Sequence, residues 1–340
     1  MQKKIKLLIL LLLKFFGIFS VARWFTRKDV RVLCYHGFSY LDEHHFRPKL
    51  FMTPELFAKR LQWLTSQNNY QIVSLEQAIK ERGSKNYQVA ITMDDGWAST
   101  YELVFDTLKK HQLPVTLYIT SYYADNQQTV FNVAIAYILW KTPKTSITLP
   151  ENIFIHASSY NLCKQPRQEI IDSLNTQVSQ LKTAEQREAA LYEIAKLFDV
   201  SLGVDGKRIF RLLNRQEINT LKKTANVDMQ LHSHRHCSPK EQSLFNKELT
   251  DNKDYLLQIF PSANLVHYCY PSGEYYEIQA EWLEQQGVIS ATTTVRGLFT
   301  GTSNKFQIPR ILDGENMHQL ELEFEMSGLR ELILGTESYE

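Results

Sequence analysis

The amino-acid sequence predicts an α/β fold built on parallel strands, a sheet or a barrel, and three observations carry that prediction. Short apolar runs alternate with helix-start signals between residues 30 and 120. His36 and the pair Asp94-Asp95 fall just beyond the C-terminal ends of two of these runs, where α/β barrels place their chemistry. After a change of pattern over about 121–226, the strand pattern resumes. At 340 residues, 44% of them hydrophobic and 22% charged, the chain can bury a full core as one large domain with an insertion or as two domains. A net charge of +1 without a basic stripe argues against a nucleic-acid surface.

The elements follow in order. Residues 1–28 stand apart from the remainder, 29–340. Lys3, Lys4 and Lys6 precede the run Leu7 to Leu13, Lys14 interrupts, and Arg23, Trp24 and Arg27 close a second apolar stretch. A spanning helix needs about 20 apolar residues, and Lys14 breaks the run. At about 100° per residue Lys3, Lys6 and Lys14 share one face, which fits a helix lying in the membrane interface. A tilted signal anchor that obeys the positive-inside rule is the first alternative, and a cleaved signal peptide ending at Ser20-Val21-Ala22 is the second.

Val30 to Tyr35 reads as a strand, with His36-Gly37 leaving it. Thr53-Pro54 is an N-cap followed by proline at the first helical position, opening a helix through Leu56, Leu61 and Leu64. Ile72-Val73 is a short strand, and Ser74 to Gln77 has the capping-box pattern. Val89 to Met93 is a buried strand ending at the paired aspartates, a helix follows to Lys110, and Val115 to Thr120 is the next strand. From about 121 to 226 long helical stretches such as Glu185 to Phe198 replace the alternation, until Asn214 to Glu217 starts a helix that returns the chain to the sheet. The segment is expected to be a helical insertion between two barrel strands, beside the mouth. Strands resume at Met229 to Leu231 and at Leu265 to Tyr270, and the acidic tail after Leu334 is expected to be a solvated end. Cys34, Cys163, Cys237 and Cys269 show no C-x-x-C spacing and are read as reduced.

Two segments complement each other chemically. Thr92-Met93-Asp94-Asp95-Gly96 ends an apolar strand, and carboxylates there cost desolvation energy unless they are paired or metal-bound. An isolated Asp-Asp-Gly is more often turn chemistry; its place at a strand end favours function. In His232-Ser233-His234-Arg235-His236, the first and last histidines converge on one side of a tight turn while His234 points away. With Asp95 they make a His/His/carboxylate set with an open position, the pattern of a hydrolytic metal site. Satisfied surface histidines are the bland alternative. The third segment is Tyr268 to Gly273.

These segments resemble the NodB-homology polysaccharide deacetylases, metal-dependent carbohydrate esterases that hydrolyse N-acetyl groups from amino sugars. Thr92 to Gly96 matches the T-F-D-D-G motif with Met for Phe, and His232 to His236 matches H-[S/T]-x-x-H. The resemblance implies a deformed (β/α) barrel with fewer than eight regular strands, Asp95, His232 and His236 as metal ligands, and Asp94 as catalytic base. The implied cofactor is a divalent ion, Zn2+ first, with Co2+, Ni2+ or Mn2+ as alternatives. The third motif usually reads R-x-P-[Y/F]; Cys269-Tyr270-Pro271-Ser272-Gly273 resembles the Y-P-x-G branch without the arginine, and the Ser272 N–H still suits an oxyanion. Arg310 reads either as a replacement arginine that orients Asp94 or as a surface cation at a strand end. No late L-x-I-H histidine is matched, and His318 lacks the apolar strand such a histidine would follow. Tyr35-His36 instead resembles the Y-H element of the permuted branch that includes poly-N-acetylglucosamine deacetylases, which implies that His36 protonates the leaving amine.

The expected function is therefore removal of N-acetyl groups from an envelope polysaccharide or its lipid-linked precursor. The alternatives are a deformylase, O-deacetylase or other small-amide hydrolase on the same site, or a non-catalytic glycan-binding assembly protein. Loss of Asp94 or of a ligand would mark the last, and none is lost. The expected partners are an N-acetylated glycan and a membrane, with no nucleic acid. The expected location is membrane-associated, leaning to the cytoplasmic face with the outer side left open.

Overall fold

A computed structural model describes residues 2–151, 158–224 and 226–335. Among them, eight strands form one parallel sheet: β1 Arg31–Tyr35, β2 Gln71–Val73, β3 Gln88–Met93, β4 Val115–Ile119, β5 Val227–Leu231, β6 His267–Cys269, β7 Ser290–Arg296 and β8 Ile308–Leu312. The order is β1-β8-β7-β6-β5-β4-β3-β2, and β1 also pairs with β3 from Arg31↔Val89 to Tyr35↔Met93, which closes seven strands into a ring. β2 is left outside that ring. It borders the first half of β3, at Gln88 to Ala90, while β4 borders the second half, at Ile91 to Met93. The fold is thus the barrel that the motifs implied, deformed where β2 and β4 share one strand.

β1, β3 and β4 are buried along their whole lengths, as expected where helices cover the outer face of a parallel barrel and side chains fill its interior. The helix Pro54–Ser66 begins with proline in its first turn and buries Phe57, Leu61 and Leu64. Ser74 accepts a hydrogen bond from the Gln77 N–H, but the Gln77 side chain donates to Glu81, so only half of the capping box forms. At Asn214 the cap is reciprocal: Asn214 Oδ1 accepts from the Glu217 N–H, and the Glu217 carboxylate accepts from the Asn214 N–H.

The insertion leaves after β4 and returns at β5, and these two strands are paired neighbours, Val115 opposite Val227. It is not wholly helical. Besides helices at Ser121–Asn126, Phe131–Lys141, Arg167–Ser179 and Ala184–Leu197, it holds two antiparallel hairpins, Ser146–Leu149 with Ser158–Asn161 and Gly203–Val204 with Lys207–Arg208. Both had legible signals. Ser146 to Leu149 alternates polar and apolar residues, which the structure exposes and buries in turn, and the dipeptide Asp205-Gly206 takes the two positive φ values, 49° and 77°, that a two-residue hairpin turn requires.

The N-terminal segment also differs from the single helix expected. Gly17, at φ 76°, breaks it into Gln2–Phe15 and Ile18–Phe25, bent by 73°. Its lysines stay about half exposed but lean onto the chain's other end. Lys6 pairs with Glu321 and Lys14 with Glu323 on the helix Gln319–Ser327. Of the acidic tail, residues 336–340 lie outside the described residues.

One buried ion pair ties the first α/β unit to the last strand. Arg60 Nε donates to Asp313 Oδ2 at 3.0 Å, both side chains being almost fully buried. Burial pushes the Asp313 carboxyl up to about 6, against the pull of Arg60. A carboxyl raised in the folded state binds its proton more tightly there than in the unfolded chain. Its contribution to stability is therefore complete below about pH 4 and is lost as pH rises through about 6. Asp313→Asn should be less stable overall, since Arg60 loses its partner. Between pH 5 and 7, however, its thermal midpoint should fall less than that of the parent. Parallel midpoint curves for the two proteins would contradict this assignment.

Candidate active site

β3 ends at Met93 and delivers Asp94 and Asp95 to the mouth of the barrel. Asp95 itself adopts φ 72° and Gly96 φ 81°; a β-carbon at Gly96 would also lie 2.9 Å from Ile119 Cδ1. A side chain at 96 would therefore be strained on both counts. β5 ends at Leu231 and delivers His232, with Ser233 at φ 60° and His236 at φ 57°. Ten non-glycine residues among those described have positive φ, and Asp95, Ser233, His236 and Ser272 are four of them. Backbone strain is thus concentrated in the three motifs, as it is where a site is over-determined by its surroundings.

These turns bring the predicted ligands together. Asp95 Oδ1 lies 3.1 Å from His232 Nε2 and 3.1 Å from His236 Nε2, and the donor atoms of all three lie within 4.8 Å of one another. The surroundings orient each donor. The His232 Nδ1–H donates to the Cys269 carbonyl at 2.8 Å, which leaves the Nε2 lone pair for the cluster. Trp97 Nε1 donates to Asp95 Oδ2 at 2.7 Å, which leaves Oδ1 for the histidines. Asn252 Oδ1 accepts from the His232 N–H, and Asn252 Nδ2 donates to the Ile119 carbonyl and to Ser121 Oγ, pinning the loop to β4. Burial opposes charge on both partners, yet hydrogen bonds from His232 and His236 hold Asp95 well below the carboxylate range, and Cys269 and Asp95 hold His232 well above the imidazole range; the proton this puts on Nε2 is the one a bound ion would displace. One carboxylate and two imidazoles with fixed donor atoms fit a divalent transition ion.

Asp94 has a different environment. Arg310, fully buried on β8, grips it with both arms, Nη1 to Oδ1 at 2.8 Å and Nη2 to Oδ2 at 2.7 Å. Arg310 is itself held by the Thr293 carbonyl at Nε and by Thr92 Oγ1 at Nη1. Burial would raise the Asp94 pKa, but the guanidinium more than offsets it and keeps the carboxyl well below its usual range. Two thiols complete the enclosure, with Cys34 Sγ 3.6 Å and Cys269 Sγ 3.4 Å from Oδ2. Cys269 stands where the commoner motif carries its arginine, and Arg310 Nη2 lies 3.4 Å from its sulfur. The cation reaches Asp94 from a different strand.

His36 leaves β1 with Nε2 3.7 Å from Asp94 Oδ2 and its side chain 16% exposed to the cavity. Burial lowers its pKa against the pull of Asp94 and Asp95. His318 lies elsewhere: it caps the helix Gln319–Ser327, its Nδ1 accepting from the Leu320 N–H, and it is not among the cavity residues. His234 turns to Ser121 Oγ, 2.9 Å from its Nδ1. Tyr270-Pro271-Ser272-Gly273 forms a short 3-10 turn on the rim, with Ser272 at φ 56° and Gly273 at φ 74°. A β-carbon at Gly273 would collide with Thr294. Among the described residues the Ser272 N–H has no acceptor in the protein, and Ser272 lines the cavity.

The cavity measures about 270 Å³ and contains His36, Asp94, Asp95, His232, His236 and Ser272. Arg47, Trp97, Tyr123, Asn132, Val133 and Leu212 supply part of the remaining wall, so the insertion borders the site directly. Sequence reasoning missed Trp97, Asn252 and the thiol of Cys34. Trp97 is two residues from Asp95 and was within reach as a local donor, and Asn252 is a polar residue on the buried side of the helix Gln242–Ile259. All four cysteines are free.

The family model described as polysaccharide deacetylase matches residues 81–290, more than half of the chain, and the chain belongs to that family. No protein in a search of curated sequences matches it. Among solved structures it is similar to the Streptococcus pyogenes deacetylase PplD in complex with acetate, at 16% identity and a TM-score of 0.57 over 88% of this chain and 99% of that one. It is also similar to IcaB from Ammonifex degensii, at 14% identity and 0.54 over 88% and 97%. A third is the de-N-acetylase from Aggregatibacter actinomycetemcomitans, at 12% identity and 0.52 over 87% and 99%. At these identities the likeness is one of fold.

Proposed function

We propose that this protein is a metal-dependent hydrolase that removes N-acetyl groups from amino sugars of an envelope polysaccharide or its lipid-linked precursor. The observation that carries the reading is the convergence of a His/His/carboxylate cluster, an arginine-clamped second carboxylate and a histidine on one cavity. Two of the structurally similar proteins, a deacetylase bound to acetate and a de-N-acetylase, support it by what they are.

Asp95, His232 and His236 would hold the ion, Zn2+ first with Co2+, Ni2+ or Mn2+ as alternatives. Such an ion polarises an acetamide carbonyl and makes water a nucleophile near neutral pH. Asp94, ionised and fixed by Arg310, accepts a proton from the attacking water. The free Ser272 N–H donates to the oxygen that gains charge as the carbonyl carbon becomes tetrahedral. His36, whose pKa burial lowers, lies 3.7 Å from Asp94 and passes to the departing nitrogen the proton that Asp94 took from water, so both residues end as they began. The products are acetate and a free amine. Acetate release from short N-acetylglucosamine oligomers, measured together with bound metal, tests the proposal; metal-loaded protein that releases no acetate from any of them would sink it.

The general acid is tested separately. His36→Ala should lower turnover by roughly 10²-fold or more with bound metal unchanged, and His318→Ala should change turnover little. The reverse pattern would move the acid to the C-terminal helix.

A further inference from the structure

Outside the active site, the most pronounced surface feature is apolar and lies at the two chain ends. The helix Gln2–Phe15 turns its lysines onto the C-terminal helix Gln319–Ser327, with Lys6 on Glu321, Lys14 on Glu323 and Lys3 Nζ donating to the Asn316 carbonyl. Leu10, Phe19, Ala22 and Leu329 form a small core between the terminal helices. With Leu7, Leu10 and Leu13 packed inward and the lysines paired along the edge, Leu8, Leu12, Phe15, Phe16, Trp24 and Phe25 remain about half exposed or more. The last described helix, Leu329–Leu334, packs on Ile18–Phe25 and adds Leu332, Ile333 and Leu334, 52 to 70% exposed. A soluble surface rarely carries so continuous an apolar face without a partner.

The charge around this face selects the partner. Residues 1–28 contain seven basic residues and no acidic one. Arg27 stacks over the Trp24 ring at 4.4 Å, and Lys4, Arg27 and Lys28 have no acidic group within ion-pair distance among the described residues. A second copy would set these cations against one another, whereas an anionic leaflet neutralises them. An aromatic ring flanked by arginine and lysine beside an apolar face is the composition of a helix lying at the level of lipid headgroups. No single described helix is long and apolar enough to cross a membrane; Lys3–Phe15 and Ile18–Phe25 together have the length and composition, but they are bent by 73° and both pack on the C-terminal helices.

We propose that the two ends of the chain together form one in-plane platform that seats on an anionic bilayer, the helix Leu329–Leu334 being part of it. The Lys6–Glu321 and Lys14–Glu323 pairs couple that platform to the barrel. The start of the first helix touches Asn316, in the loop after β8, at the barrel end that carries the site. Trp24 to Lys28 lead into the start of β1, the opposite end of the barrel, so the platform runs along the barrel's side from one end to the other.

Sedimentation of the full chain with vesicles tests the proposal. Vesicles of phosphatidylethanolamine and phosphatidylglycerol should bind the protein, phosphatidylcholine vesicles should bind it more weakly, and alkaline extraction should release it. Leu12→Glu and Ile333→Glu should each lower partitioning on the order of tenfold, with thermal midpoints near that of the parent because both side chains are exposed. Unchanged partitioning of Ile333→Glu would remove the C-terminal helix from the platform and overturn the proposal. Resistance to alkaline extraction would overturn it in favour of a spanning anchor. A dimer that ignores vesicles and dissociates on either substitution would show that a second copy covers the face. Vesicle binding is read independently of acetate release, so this proposal and the functional one fail separately.

Discussion

Asp94→Asn is expected to reduce acetate release by roughly 10³-fold while leaving bound metal at the level of the parent. Asp94 stands outside the Asp95/His232/His236 cluster proposed to hold the ion, although it also lies within ligand reach of His232 and Cys269, so the proposed ligands survive the change while the proposed base does not. Asparagine keeps the shape and loses two things. Its amide nitrogen cannot accept from Arg310, which now donates to both carboxylate oxygens, so one donor faces another. A fully buried guanidinium is also left without its counter-charge, a loss of about 3–5 kcal/mol where such pairs have been broken. The thermal midpoint should therefore fall together with turnover. Arg310→Lys separates the two effects, since it keeps the charge and gives up the two-armed grip; turnover should drop with a smaller loss of stability. Acetate release by Asp94→Asn at the parental rate would assign the base elsewhere.

The parts of the fold that could be read from the sequence are those whose information is local. β3 announces itself because Val89 to Met93 is an apolar run interrupted only by Thr92, as suits a strand buried on both faces, and the two aspartates at its end break that pattern. His232 and His236 were legible as a pair because four residues on one tight turn fix their relation. Arg310 was not decidable between a site residue and a surface cation. Its partner lies 216 positions away, and only the closing of the ring, β1 against both β3 and β8, brings the two strands' ends together. The lysines of the first helix show the same limit. Periodicity placed Lys3, Lys6 and Lys14 on one face, but a period says only that one face differs from the other, not what that face meets. The glutamates that it meets, Glu321 and Glu323, are more than 300 residues away. The hairpins of the insertion were different: Asp205-Gly206 and the alternation from Ser146 to Leu149 were local signals, outweighed by the strong helical periodicity around them.

Asp95→Asn should fail in a different way from Asp94→Asn, by releasing the metal. The Asp95 carboxylate accepts at both ends: Oδ1 faces two imidazole nitrogens at 3.1 Å, and Oδ2 accepts from Trp97 Nε1 at 2.7 Å. An asparagine amide has one acceptor oxygen and one donor nitrogen. If its oxygen turns to the cluster, its nitrogen meets the Trp97 N–H; if it turns to Trp97, a donor occupies the ligand position. Neither orientation restores the negative charge that a dication requires from this set. Metal affinity should fall by two orders of magnitude or more, and acetate release should fall with it and recover in part when metal is added in excess. Trp97→Phe, which removes only the hydrogen bond that orients the carboxylate, should weaken metal binding by about 10- to 100-fold and leave the reaction intact at saturating metal. Titration of metal-free protein with Zn2+, read by calorimetry beside acetate release, distinguishes the three proteins. Stoichiometric, tight metal in Asp95→Asn would place the ion on other residues.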